Sequence, residues 1–433
     1  MEQIVIRGGR ELRGTVRVNG AKNAALPIMA ACLLVDGPVT LDRVPRLRDV
    51  ETMAGILRAL GVAVEWIGPQ RLRLCCEERQ EVVAPFDLVR RMRGSVCTLG
   101  PLVATRGAAV VALPGGCVLG ERPIDLHVKG LAALGAEFRL EGTCLRASAG
   151  RLRGKRVDMT GPRGSTCLGT ANVLMAAALA EGCTVVEGAA REPEIQDLAR
   201  FLNACGARIE GIGTPTLTVR GVERLRGTDY VIIPDRIEAG TFLAAAAATG
   251  GRITLEGAQP QALRATIEAL RRMGVAIAGT EGCLSAESRP PLRPTALVTG
   301  PYPELATDMQ PQLSVLLCLA TGTSSVEERV YTERFTHVGE LIKMGACVLQ
   351  GGARAVIEGV PALRGAEVRA ADLRAGGALV LAGLAAEGTT TVTGVDQIDR
   401  GYQDLEAALA SLGADIRRAQ ADEAPAEMRR RTA

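Results

Sequence analysis

The residues of this chain best suited to chemistry lie where turn formers interrupt apolar runs. Cys117 stands in ALPGGCVLGERPIDLH, residues 112–127, among Pro114, Gly115, Gly116, Gly120 and Pro123. That composition makes an irregular loop rather than core. Arg122 and Lys129 are cations that lower the pKa of a nearby thiol and make it reactive; the competing reading is an exposed, incidental cysteine. Asp125 and His127 alternate after Pro123, a pattern that suits a polar wall beside a substrate. In VNGAKNAALPIMAA, Lys22 and Asn23 open an Ala-rich helix. A lysine there opposes the helix dipole, but a bound anion would gain both the ammonium and the free backbone N–H groups; a solvated surface lysine is the alternative. Asp308, in PYPELATDMQ, reads either as a first-turn helix acid or as a working carboxylate. Asp235, Arg236 and Glu238 follow an apolar strand, and Arg334 and Arg400 each precede a helix. Arginines so placed are either surface residues or, at equivalent points of related repeats, a basic lining around an acidic ligand.

The bulk of the chain narrows the classes. It has 433 residues, too many for one ordinary core, so two domains are expected. Hydrophobic residues make up 47% but aromatics only 2%, so the core must be Ala, Val, Leu and Ile. A net charge of +3 with both signs interspersed leaves no nucleic-acid footprint. The first residues lack the pattern of a signal peptide, and the longest apolar stretches, Thr241–Ala247 and Leu379–Ala386, are too short to span a membrane. A cytoplasmic protein without membrane insertion is the expectation. Among 12 cysteines there is no Cys-x-x-Cys pair, and only two histidines accompany them, so no zinc site is expected. Cys32, Cys97, Cys183, Cys205 and Cys318 lie in Ala/Leu-rich runs and read as buried core filler.

The elements that position these residues recur. A helical run, a glycine and a strand-like run appear six times, in LRALGVAVEW, LAALGAEFRL, FLNACGARIE, LRRMGVAIAG, LIKMGACVLQ and LASLGADIRR. Their glycines, Gly61, Gly135, Gly206, Gly274, Gly345 and Gly413, are spaced by 74, 71, 68, 71 and 68 residues. Glycine past the last helical hydrophobe is a helix stop, and alternation beyond it is a strand. A second apolar helix precedes each copy. The units are large for a solenoid and fit small α/β layers, three to a domain, with a boundary near DYVIIPDRIEAGTF and function in the cleft between the halves.

Taken together, these motifs resemble the UDP-N-acetylglucosamine 1-carboxyvinyltransferases, a family of enolpyruvyl transferases. The resemblance is carried by Asn19-Gly-Ala-Lys22-Asn23, Met92-Arg93, the loop Leu113–His127, Pro234-Asp235-Arg236, Thr307-Asp308-x-Gln310, Arg334-Phe335 and Asp399-Arg400-Gly401-Tyr402, and runs from Ile4 to about Arg418. It implies two inside-out α/β domains of three βαβαββ-like units each. The first would take residues 22–233 and the second residues 1–21 with 234–420, leaving 421–433 as a disordered tail. It implies transfer of enolpyruvate from phosphoenolpyruvate to the 3-hydroxyl of UDP-N-acetylglucosamine, without metal or cofactor, opening peptidoglycan synthesis and inhibited by fosfomycin. The resemblance makes Cys117 the general acid and Asp308 the base. Lys22, Arg122, Arg334 and Arg400 would grip the donor. Asn23, Arg93, Arg122, Pro123, Ile124, Asp125, Leu126, Val330 and Arg374 would complete the substrate contacts.

The chain departs from the family pattern at Gly164–Leu168, at Gln397 in place of a frequent histidine, and at Ala306 in place of a proline. Three alternatives follow: a relative with another acceptor, a non-catalytic nucleotide-sugar binder, and a 3-phosphoshikimate 1-carboxyvinyltransferase. The last lacks the Pro-Gly-Gly-Cys loop.

Overall fold

The computed structural model describes residues 2–113 and 124–420. Cys117, Arg122, Pro123 and the tail 421–433 lie outside the described residues. The chain divides into two compact units, Asn19–Asp235 and Met1–Val18 with Arg236–Ala433.

Each unit repeats one motif three times: an apolar helix, a strand, an amphipathic helix, then two antiparallel strands. In Asn19–Asp235 the apolar helices are Lys22–Ala31, Leu99–Arg106 and Cys167–Ala177, leading to strands Val39–Asp42, Ala108–Ala112 and Cys183–Glu187. In the other unit they are Arg236–Thr249, Gln310–Cys318 and Leu373–Ala385, leading to Arg252–Glu256, Thr323–Glu327 and Thr389–Thr393. These helices are apolar around their whole circumference and correspondingly buried; the run from Phe242 to Ala247 is at most 1% exposed. They pack on one another, and the sheets lie outside them. The second helix of each motif has one apolar stripe. In Arg264–Arg272, Thr266, Ile267, Ala269 and Leu270 are buried while the arginines face water.

The four-stranded sheets follow one plan, shown by the order 296–298, 323–327, 354–358, 347–351, in which the first pair is parallel and the other two antiparallel. Strands from far apart in sequence complete some sheets. Glu2–Arg7 lies antiparallel between Thr389–Thr393 and Asp415–Gln420. Arg13–Arg17 runs parallel to Arg252–Glu256, and Asp229–Val231 runs parallel to Val39–Asp42. Alternation puts one face inward, as in Thr216–Arg220, where Leu217 and Val219 are buried. The six repeat glycines all have positive φ, from 80° at Gly61 to 107° at Gly135, which is why glycine recurs where the second helix stops.

The cysteine expectation holds only in part. Cys32, Cys97, Cys205 and Cys318 are buried, but Cys183 is exposed. It starts a strand in the outward register, so its apolar neighbours in sequence do not cover it. Among the described residues no helix is long and apolar enough to cross a membrane.

Close contact between the inner helices depends on missing side chains. A Cβ on Gly100 would lie 2.4 Å from the backbone oxygen of Asn172 on the neighbouring inner helix. Gly100→Ala should therefore lower stability by about 1–3 kcal/mol through overpacking, although alanine is the better helix former by about 1 kcal/mol. A urea midpoint at or above that of the parent chain would refute this packing.

Candidate active site

Several of the sequence-predicted residues stand at the N-terminal ends of inner helices, where backbone N–H groups and the helix dipole favour anions. In the unit Met1–Val18 with Arg236–Ala433, Asp308 occupies the 3₁₀ turn Thr307–Met309 ahead of Gln310–Cys318. It does not serve as a helix cap. Its Oδ1 accepts from Arg334 and its Oδ2 from Arg374 Nη2 at 3.0 Å. Both arginines are buried, at 4% and 3% exposure. Arg374 is the second residue of the inner helix Leu373–Ala385, and Arg236 is the first of Arg236–Thr249. The guanidinium of Arg334 lies 5.0 Å from the Tyr331 ring and that of Arg374 5.6 Å from the Tyr402 ring. Burial opposes ionisation of Asp308, but Arg374, Arg334 and then Arg236 outweigh it and hold the carboxyl far below the usual range.

Asp372, absent from the sequence-level candidates, ties this cluster together. Its Oδ1 caps the helix by accepting from the N–H groups of Arg374 at 2.8 Å and Ala375 at 3.1 Å, while Thr336 Oγ1 donates to Oδ2 at 2.6 Å. Arg334 lies two residues before Thr336, so one carboxylate registers both arginine-bearing segments. Glu328, fully buried, accepts the N–H groups of Val330 and Tyr331, both at 2.9 Å, and shapes the backbone at Val330. Arg400 follows the short helix Val395–Ile398 and donates from Nη1 to Gln397 Oε1 at 3.1 Å.

In the unit Asn19–Asp235, Lys22 is the first residue of its inner helix and is 5% exposed, which rules out the solvated surface lysine. Its Nζ meets Asp49 Oδ2 at 3.0 Å, and its backbone N–H faces Asp235 Oδ2 at 3.4 Å. Asn23 follows it on the half-buried side of the helix. Sequence reasoning missed Asp49, whose signal is a first-turn acid in the helix Arg48–Ala59. Arg93 opens the 3₁₀ helix Arg93–Thr98, which runs into Leu99–Arg106. Ile124, Asp125 and Leu126 stand at the start of the helix Asp125–Ala133. The polar wall is corrected here. On a helix, residues 125 and 127 face opposite ways, so Asp125 is exposed while His127 is 1% exposed, its Nδ1 accepting from Asn172 Nδ2 at 2.9 Å. Lys129 faces Asp158 at 3.6 Å. Thr166 caps the inner helix Cys167–Ala177 by accepting from Gly169 N–H at 3.3 Å. Among the described residues no three His, Cys, Asp or Glu side chains gather to hold a metal ion.

A family profile described as EPSP synthase (3-phosphoshikimate 1-carboxyvinyltransferase) matches residues 6–409. The UDP-N-acetylglucosamine 1-carboxyvinyltransferase of Nitratidesulfovibrio vulgaris strain Hildenborough is 50% identical over 96% of this chain and 99% of that protein. This chain belongs to the enolpyruvyl transferase family. The protein of the same name from Magnetococcus marinus is 47% identical over 96% of this chain and 99% of its own length. Among solved structures, the enolpyruvyl transferase NikO of Streptomyces tendae superposes with a TM-score of 0.87 at 28% identity, covering 96% of this chain and 98% of that one. EPSP synthase of Acinetobacter baumannii shares the fold, with a TM-score of 0.73 at 19% identity over 97% of this chain and all of that one. The inside-out α/β architecture is thus that of the enolpyruvyl transferases.

Both histidines of this family member are held neutral. Burial, then Arg93, pushes His127 down to about 3. Burial takes His337 to about 4 against Asp372, with Arg334 assisting. Asp197 moves oppositely, pushed up by burial to about 6 against the hydrogen bond from Tyr230. Unfolded histidine titrates near 6.5. Each histidine therefore contributes stability that is present above that pH and is lost as the pH falls toward its folded value. Asp197 offsets one of the two, because the native state keeps its proton up to about 6. Between pH 6 and 4.5 stability should fall by about 1.4 kcal/mol per pH unit. Urea midpoints across that range should show His337→Gln flattening the slope and Asp197→Asn roughly doubling it. A slope unchanged by either substitution would contradict the assignment.

Proposed function

We propose that this chain transfers the enolpyruvyl group of phosphoenolpyruvate to the 3-hydroxyl of UDP-N-acetylglucosamine and releases phosphate, in the cytoplasm, as the first committed step of peptidoglycan synthesis. The observation that carries this reading is the half-buried Asp308 carboxylate held by the buried Arg334 and Arg374, in a chain 47 to 50% identical to relatives bearing that enzyme's name.

The donor has a phosphate and a carboxylate on one three-carbon unit, so its site needs dense, fixed positive charge. Lys22, Arg122, Arg334, Arg374 and Arg400 supply it. Arg93 and the run Arg122–Leu126, with the backbone at Val330, take the nucleotide, and Asn23 orients the sugar. Protonation at carbon 3 by Cys117 makes carbon 2 electrophilic. The sugar oxygen then bonds to carbon 2 as its proton passes to Asp308. Return of a carbon 3 proton to the Cys117 thiolate restores the double bond as the carbon–phosphate oxygen bond breaks, so the electron pair leaves with phosphate.

As held in the free protein, Asp308 is ionised and so ready to accept a proton, but its two arginines make it a weak base, whereas general bases work best near the operating pH. The incoming donor competes for the same guanidinium groups. When Arg334 and Arg374 turn to the donor's anions, the proton affinity of Asp308 rises. Substrate binding thus switches the base on, and the aspartate occupies the arginines until then.

Phosphate release from phosphoenolpyruvate should depend on UDP-N-acetylglucosamine; release with shikimate 3-phosphate instead would move the chain to the sister activity, and none with either would make it a binder. Cys117 is tested by substitution. Cys117→Asp should keep activity with an altered pH profile, because a desolvated carboxylic acid can hold a proton near neutrality. Cys117→Ser should lose about 100-fold or more. Mass mapping after treatment with the phosphonate epoxide fosfomycin should place a single adduct on Cys117. A fully active serine variant, or adducts spread over several cysteines, would remove Cys117 from the role of acid.

A further inference from the structure

We propose that Arg418 is a positioning residue for Arg400, acting through the carboxylate of Asp399. The inference rests on the reading of Arg400 as a donor-binding cation and deepens it. Arg400 belongs to the short segment between the helices Val395–Ile398 and Leu405–Ser411. Backbone hydrogen bonds from Asp399 to Val395 and from Gly401 and Tyr402 to Ile398 turn this segment, and side chains anchor it on either side of Arg400.

The residue before it is fixed by a fork. Arg418, on the strand Asp415–Gln420, donates from Nη2 to Asp399 Oδ1 at 2.7 Å and from Nη1 to Asp399 Oδ2 at 3.1 Å. The same guanidinium donates from Nε to Glu406 Oε1 at 2.8 Å and from Nη1 to Glu2 Oε2 at 3.1 Å. One cation thus joins the edge strand, the strand Glu2–Arg7, the helix after the segment and the segment itself. On the other side, Tyr402 is 2% exposed, accepts from Gln312 Nε2 at 2.9 Å and shares a hydrogen bond with Thr241 Oγ1 at 3.1 Å. Arg400 therefore stands between two fixed points, and its own Nη1 reaches back to Gln397.

The side chain of Arg418 is only 28% exposed, which lifts the pair above an ordinary solvated ion pair. A bidentate fork fixes orientation as well as distance, and an ammonium cannot reproduce it. Orientation is what an anion-binding arginine needs, because small misplacement at a reacting centre costs up to about 100-fold in rate.

The test is a double-mutant cycle read by turnover and by calorimetric binding of phosphoenolpyruvate to the full chain. Arg418→Gln should lower kcat/KM for phosphoenolpyruvate by roughly 10- to 100-fold and leave KM for the nucleotide sugar unchanged. Arg418→Lys should fall between it and the parent. In an Arg400→Ala background the same substitutions should have no further effect, because the residue through which they act is gone. Equal losses in both backgrounds, or no loss in either, would overturn the proposal. If Arg418→Gln abolishes the cooperative melting transition, Asp399→Asn runs the same cycle. Should the parent chain bind phosphoenolpyruvate but release no phosphate, the functional reading falls, and the binding cycle still decides the role of Arg418.

Discussion

A helix that is apolar all the way round has to be covered all the way round, and the architecture of each unit follows from that constraint. Phe242 to Ala247 and Leu379 to Ala382 offer no polar face for water, so three such helices cover one another and the sheets cover what remains. Alanine and glycine let the helices approach closely, which is how a chain with 2% aromatics builds a dense core. The same burial leaves the helix starts as the places where polar chemistry survives. Their first N–H groups must be satisfied by a cap, by water or by a ligand. Thr166 and Asp372 provide caps. Lys22, Arg236 and Arg374 also bring positive charge to the positive end of a helix, an arrangement that gains only when an anion is present.

In the free protein Asp308, which also pairs with Arg334, supplies that anion for Arg374, as Asp49 does for Lys22. With two guanidinium groups on one carboxylate, the buried charges are paired, and removing one partner would leave a buried charge at a cost of about 3–5 kcal/mol. The pairing also holds the arginines in orientations suited to oxyanions, since a carboxylate presents the same planar acceptor pair as the carboxyl end of phosphoenolpyruvate. Asp372 and Tyr402 keep that geometry from relaxing, one by joining Thr336 to the start of the Arg374 helix and the other by lying against the Arg374 guanidinium.

The repeat was legible because its marker is backbone chemistry: a helix ending in a left-handed residue calls for glycine wherever it occurs, and six positions supply it. Lys22, Asp308, Arg334 and Arg400 were legible because charge sits beside helix starts. What the sequence hid was partnership. Asp49 is 27 residues from Lys22, and Arg374 is 66 residues from Asp308, separations that local pattern does not span. Pairings such as Arg13–Arg17 with Arg252–Glu256 are hidden for the same reason. His127 and Cys183 were misplaced by register, since helical phase turned one inward and strand phase turned the other outward.

Two of the departures from the family pattern can be followed in what their side chains touch. Thr166, inside the altered stretch 164–168, still caps its inner helix, so the change leaves the helix start in place while altering which side chains flank it. Gln397 accepts from Arg400 through its amide oxygen. A neutral imidazole in that place would also accept, but a protonated one would donate and repel the guanidinium. The amide removes that dependence, so its acceptor for Arg400 is present at every pH.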